Sequence, residues 1–181
     1  MRLFAGIELD GATRAACGAV IEELARSGFA AKFEGLEKLH VTLAFLGNVE
    51  AGRHPEIVRV MDAAAEATAP FEVPFDKVGA FPHERKPRIV YVGAREQGRD
   101  YRLLSARLRG GYAELGFGFN DDAVAHVTVA RVKEPRRPLP LIDVAPVTLP
   151  VFRLTLFESV HDKEKNTSRY VVSATSELRG K

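Results

Sequence analysis

The sequence predicts an α+β fold of two pseudo-symmetric lobes, each an antiparallel sheet with outer helices, facing each other across a central cleft. Three observations carry this. Strand-type alternation of apolar and polar residues is interrupted by three segments with helical period. The pattern His-Val-Thr-hydrophobe-Ala occurs at residues 40–44 and again at 126–130 of the 181-residue chain, one copy in each half, and such internal self-similarity points to a duplicated architecture. No stretch has the length and composition of an interdomain linker, so the halves are expected to interleave in a single bilobal domain over residues 1–181.

Taken in order, residues 2–8 read as a first strand that stops at the turn formers Asp10 and Gly11. Residues 13–26 follow with helical period, placing Ala15, Ala16, Ala19, Val20 and Leu24 on an inner face, with Gly28 just past the end. Residues 38–46 form a strand closed by Gly47 and Asn48. Pro55 opens a second helix reaching residue 67, proline being favoured at the first helical position. Strands are expected around 71–81 and 88–93, with the turn-rich 82–87 between them, then a third helix at 99–115 and a strand at 125–131. The proline-rich segment 134–140 is a loop. Long β-type runs at 144–161 and 169–178 close the chain, joined by a charged turn near 163–167. These last strands need partners and resemble the first strand, which is why the halves are expected to interleave.

Composition narrows the class of protein. Hydrophobic residues make up 46% and charged residues 28% of the chain, ordinary values for a globular domain. No apolar run approaches the ~18–20 residues that span a bilayer, and residues 1–10 lack the apolar core of a signal peptide. Cys17 is the only cysteine, so no internal disulfide or thiolate metal cluster can form. A cytoplasmic protein with no membrane association is expected. The formal net charge is only +2, but cations cluster at 85–88, 131–137 and 163–169. Each run alone reads most simply as a solvated loop, while together they permit a nucleic-acid substrate.

The repeated motif supplies the chemistry. Side chains at i and i+2 of a strand share a face, so His40 and Thr42 point one way while Val41, Leu43 and Phe45 point the other. His126 and Thr128 likewise oppose Val127 and Val129. Related by a pseudo-twofold axis, the two strands would surround a tetrahedral anion with two proton-transfer groups and two hydroxyl donors. That set suits phosphodiester cleavage without a metal: one imidazole takes a proton from the nucleophile while the other protonates the departing oxygen. Histidine, with an ordinary pKa of about 6.5, can play either part near neutral pH. No His-Glu-x-x-His, carboxylate ladder or Gly-x-Ser-x-Gly is present, so neither a metal nor any other cofactor is expected. Two such similar imidazoles leave the choice of acid and base open.

At these residues the chain resembles the 2H phosphoesterase superfamily, named for its two His-x-Thr motifs, and within it the RNA 2′,3′-cyclic phosphodiesterase branch, also called 2′-5′ RNA ligase-like. The resemblance runs through Arg2-Leu3-Phe4-Ala5, Leu39 to Gly47, Gly79-Ala80-Phe81-Pro82, His126 to Arg131 and Leu156-Phe157-Glu158-Ser159, and so covers nearly the whole chain. It implies hydrolysis of a terminal 2′,3′-cyclic phosphate to a 2′-phosphate, with weak reverse 2′-5′ ligation. His40 is then the proton donor and His126 the proton acceptor, while Thr42 and Thr128 hold phosphate oxygens. Ala125 stands where the family usually has proline, a change that removes no chemical group. Arg131 matches a family arginine near the substrate and is taken as a substrate-binding residue, but strand parity groups it with Val127 and Val129, facing away from His126, so it reaches the cleft only if the strand ends or twists there.

The partner expected is RNA ending in a 2′,3′-cyclic phosphate or a smaller nucleotide, with no obligate protein partner. Two other readings compete: a phosphodiesterase for small cyclic nucleotides, and a module that binds RNA ends without turnover. Of the remaining histidines, His54 is expected as an exposed helix cap, and His83 and His161 as surface residues. Phe4, Phe33 and Tyr170 could stack on bases, though core packing is the commoner use of such rings.

Overall fold

The structure, a computed structural model, describes residues 1–120, 123–162 and 167–180. Its elements run β1 (Arg2–Glu8), α1 (Gly11–Arg26), β2 (Lys32–Phe33), β3 (His40–Asn48), α2 (His54–Glu66), β4 (Phe71–Phe75), β5 (Lys77–Phe81), β6 (Ile89–Gly93), α3 (Arg99–Glu114), β7 (His126–Arg131), β8 (Val147–Val151), β9 (Arg153–Asp162) and β10 (Thr167–Glu177). Most of the predicted turn near 163–167 lies outside the described residues. The α+β class, the antiparallel sheets and the three helices are as the sequence predicts.

Eight strands form one sheet in the order β10-β9-β1-β3-β7-β6-β5, with β2 added to β7, while β4 and β8 make a separate two-stranded ribbon. The large sheet is two half-sheets joined edge to edge. Their central strands, β3 and β7, meet at one residue pair, Val41 with Val127, and both valines are fully buried. The interleaving is reciprocal: β9 returns from the C-terminal half to pair with β1, and β2 leaves the N-terminal half to pair with β7.

Local chemistry explains the element ends. Asp10 caps α1 by accepting from the Thr13 backbone N–H at 2.8 Å. The buried stripe of α1 is Thr13, Cys17, Gly18, Val20 and Leu24, with Ala15 and Ala19 exposed; the helix is rotated so that Val20 and Leu24, not the alanines, centre the contact. The predicted run 71–81 breaks at Asp76, whose N–H reaches the Gly93 carbonyl and whose carboxylate accepts from the Arg95 N–H, sending β4 and β5 to different sheets. The run 144–161 breaks at Phe152, whose carbonyl takes the Leu178 N–H at 2.7 Å. Residues 36–38 make one 3-10 turn, so β3 begins only at His40.

Both central strands carry the same irregularity at the same place. In β3, Ala44 pairs with Ala5 and Thr42 with Gly6, leaving Leu43 without an opposite number. In β7, Ala130 pairs with Val90 and Thr128 with Tyr91, leaving Val129 without one. One extra residue is a β-bulge, and it inverts the alternation beyond it. Burial shows the inversion: Leu43 and Ala44 are both buried and Phe45 exposed, as Val129 and Ala130 are buried and Arg131 exposed. Simple parity, which turned Phe45 and Arg131 away from the histidines, is therefore corrected for both. The carbonyls displaced at the bulges find other donors, Arg109 Nε for Leu43 and the Glu34 N–H for Val129, each at 2.9 Å, as buried backbone groups require.

Candidate active site

The junction pair sets the geometry of the site. Opposite residues of antiparallel strands share a face, so the register through Val41 and Val127 brings His40 level with Thr128 and Thr42 level with His126. All four turn to the face opposite the buried valines. Exchanging the halves about this pair maps the set of four onto itself.

Both imidazoles are held by the same device. His40 Nδ1–H donates to the Lys38 carbonyl at 2.6 Å, and His126 Nδ1–H to the Val124 carbonyl at 2.8 Å, in each case two residues back. A carbonyl only accepts, so each Nδ1 must carry the proton, and Nε2 is the nitrogen available for proton transfer. In neutral His40, Nε2 accepts from the Thr42 hydroxyl at 3.0 Å. Rings box each imidazole: Phe4, Phe157 and Tyr170 lie 4.8–5.7 Å from His40, and Phe81 and Tyr91 lie 5.2 and 5.6 Å from His126. Burial pushes the His40 pKa below the ordinary histidine value, partly offset by the Lys38 carbonyl and Glu34, while charge on His126 and Arg131 lowers it further.

His40, Thr42, His126, Thr128 and Arg131, the five residues singled out in the sequence, all line one cleft of about 210 Å³. Arg131 reaches it because of the bulge, and its Nε–H pairs with Glu34 at 2.8 Å. Sequence reasoning assigned no role to Arg2, Lys38, Phe45, Ser159 and Ser168, which also line the cleft. Arg2, Phe45 and Ser159 lie in runs that carry the family resemblance, the one signal that could have found them. Phe45 stands 48% exposed, with the Arg2 guanidinium 5.2 Å from its ring centre. Among the described residues, three cations against the single carboxylate of Glu34 make the cleft a site for an anion.

The other expectations sort clearly. Tyr170 and Phe4 both line the cleft, Phe4 as a floor only 3% exposed, whereas Phe33 packs against the core. His54 is no free cap, since its Nε2 bonds the Ser173 hydroxyl at 2.8 Å; His83 and His161 are exposed. Among the described residues no group of three or more His, Cys, Asp or Glu side chains is arranged to hold a metal ion.

Comparison with known proteins agrees with this geometry. Residues 7–91 match the family of LigT-like phosphoesterases. An RNA 2′,3′-cyclic phosphodiesterase of Archaeoglobus fulgidus is 36% identical over 137 residues, covering 74% of this chain and 73% of its own. A protein of the same name from Thermotoga maritima is 28% identical over 163 residues, 88% of this chain and 87% of its own. The crystal structure of TT0787 of Thermus thermophilus superposes over 100% of both chains with a TM-score of 0.82 at 28% identity. E. coli LigT in complex with phosphate shares the fold, with a TM-score of 0.76 at 22% identity over 98% of this chain and 96% of its own. The chain belongs to the LigT-like 2H phosphoesterase family, in the branch of the RNA 2′,3′-cyclic phosphodiesterases.

Proposed function

We propose that this protein hydrolyses RNA 2′,3′-cyclic phosphate ends to 2′-phosphates by metal-independent, two-histidine acid–base catalysis. The observation that carries the reading is the pair of identically tethered imidazoles, each level with the other strand's threonine across one anion-attracting cleft. The cyclic phosphate would sit between the strands, its non-bridging oxygens taking hydrogen bonds from Thr42 and Thr128 and facing the Arg131 guanidinium. His126 Nε2 takes a proton from water as the water oxygen bonds to phosphorus. The bond to the 3′ oxygen breaks, and His40 Nε2–H protonates that oxygen, leaving a 2′-phosphate and a 3′-hydroxyl. Each positioned acid or base contributes about 10²–10⁴-fold in rate, and donors aimed at the equatorial oxygens stabilise the charge that gathers there. A 5′-hydroxyl in place of water gives a 2′-5′ linkage by the same steps, a side reaction that water outcompetes.

The test is an oligonucleotide ending in a 2′,3′-cyclic phosphate, incubated with the purified protein in excess EDTA. Production of the 2′-phosphate is expected, with kcat lowered at least about 10²-fold by either His40→Ala or His126→Ala. Loss of activity in EDTA, or wild-type turnover by either variant, would overturn the mechanism. An RNA-end-binding module would give retention of the oligonucleotide and no product.

A further inference from the structure

We infer that a basic groove, sharing Arg131 with the catalytic cleft, binds the RNA strand upstream of the cyclic phosphate and so favours an oligonucleotide over a free nucleotide. This rests on the activity proposed above and extends it along the strand. The groove, of about 520 Å³, lies between residues 28–32 and the segment after β7, and Arg131 lines both it and the cleft. Phe29, Ala31 and Val132 contribute an apolar floor, and Lys32, Lys133, Arg136 and Arg137 a cationic rim. Its one carboxylate among the described residues, Glu134, is paired with Arg136.

One wall of the groove, the segment after β7, is tied by hydrogen bonds to a second basic run distant in sequence. The Val132 N–H bonds the Arg88 carbonyl at 2.9 Å and the Leu139 N–H bonds the Glu84 carbonyl at 2.7 Å, while the Arg88 guanidinium donates to the Lys133 carbonyl. Segments 84–88 and 131–139 thereby form one face. Such a concentration of positive charge in a chain of net charge +2 is a local arrangement. The phosphate of a mononucleotide is served by the cleft alone. A second compartment with cations at its rim and apolar surface at its floor has the chemistry of a single strand: phosphates outward, a base against the floor. An RNA whose 3′ terminus occupies the cleft leaves in the 5′ direction, and Arg131 marks where the cleft opens into the groove.

The experiment compares 2′,3′-cyclic AMP with a tetranucleotide ending in a 2′,3′-cyclic phosphate, using wild type, Lys133→Glu/Arg136→Glu/Arg137→Glu and a control, Arg59→Glu/Arg102→Glu, on outer helices. Wild type is expected to favour the tetranucleotide in kcat/KM by about tenfold or more, and the triple variant to lose that preference while turning over cyclic AMP as before. The slope of log kcat/KM against log salt for the tetranucleotide should also flatten by about 2, at ~0.7 per phosphate contact. Equal use of both substrates by wild type overturns the groove and leaves the chemistry standing. So does preference retained by the triple variant, or lost equally in the control. Hydrolysis of neither substrate by wild type defeats the underlying activity instead. Unchanged cyclic AMP turnover also reports that the triple variant is folded.

Discussion

A buried imidazole resists a proton, yet the donor in phosphodiester cleavage must carry one. His40, the donor proposed above, faces this conflict: desolvation lowers its pKa, with the Lys38 carbonyl opposing and His126 adding to the effect. Lowered below its ordinary value it is neutral at pH 7, and an anion seated against Nε2 would raise its proton affinity. Binding of inorganic phosphate or 2′-AMP should take up protons near pH 7, read by calorimetry in two buffers of different ionisation enthalpy. His40→Asn, which keeps a donor for the Lys38 carbonyl, should abolish most of that uptake; equal uptake by variant and wild type would remove His40 as the linked group. The same shift carries a stability consequence. A histidine whose folded pKa lies below about 6.5 binds fewer protons folded than unfolded, so its contribution is lost as pH falls from about 6.5 toward the folded pKa. Wild-type Tm should accordingly drop more steeply than that of His40→Asn over this range in the absence of anions. Parallel curves would contradict the direction of the shift.

At the scale of elements, the duplicated bulge separates what could be read in the sequence from what could not. The strands and the outward face of His40, Thr42, His126 and Thr128 follow from alternation, which local chemistry enforces, and the interleaving of the halves from the last strands' need for partners. Leu43 and Val129 each add a residue that their neighbouring strands do not match, and nothing in two successive apolar residues distinguishes an extra one from an ordinary one. Parity therefore failed one step past each motif, at Phe45 and Arg131. Strand β2 escaped for a related reason: two residues have no period to detect, and its partner β7 is remote in sequence. The bulge in β3 demands a close approach that can be tested. Gly6 lies opposite Thr42, and a methyl group there would collide with the Val41 carbonyl oxygen, backbone that cannot move without disturbing the strand junction. Gly6→Ala should destabilise by about 1–3 kcal/mol. Gly11→Ala, where added carbon meets nothing within 4 Å at the exposed start of α1, should be neutral or stabilising. Urea midpoints at constant m measure both; equal midpoints for the two variants would show that the junction yields.

For the whole molecule, a junction of one residue pair between two half-sheets is a small contact to hold a site whose geometry must stay within tenths of an ångström. The interleaved strands supply the rest. β9 fastens the C-terminal segment to the first half, and β2 fastens the N-terminal segment to the second, where Glu34 meets both the Val129 carbonyl and Arg131. An anion bound between the His-x-Thr strands touches groups from both halves, so it recognises only their assembled state. Linkage then requires phosphate to raise the unfolding free energy by RT ln(1 + [L]/Kd), about 2.7 kcal/mol at a hundredfold excess over Kd. For a chain of this length that corresponds to roughly 5–10 °C in Tm. Because Thr42 and Thr128 are pseudo-equivalent, Thr42→Val and Thr128→Val should each reduce the phosphate-induced rise by similar amounts, measured by thermal scans over a phosphate series at constant ionic strength. A full rise retained by one variant and lost by the other would place the anion in a single half, and the symmetric reading of the cleft would fail with it.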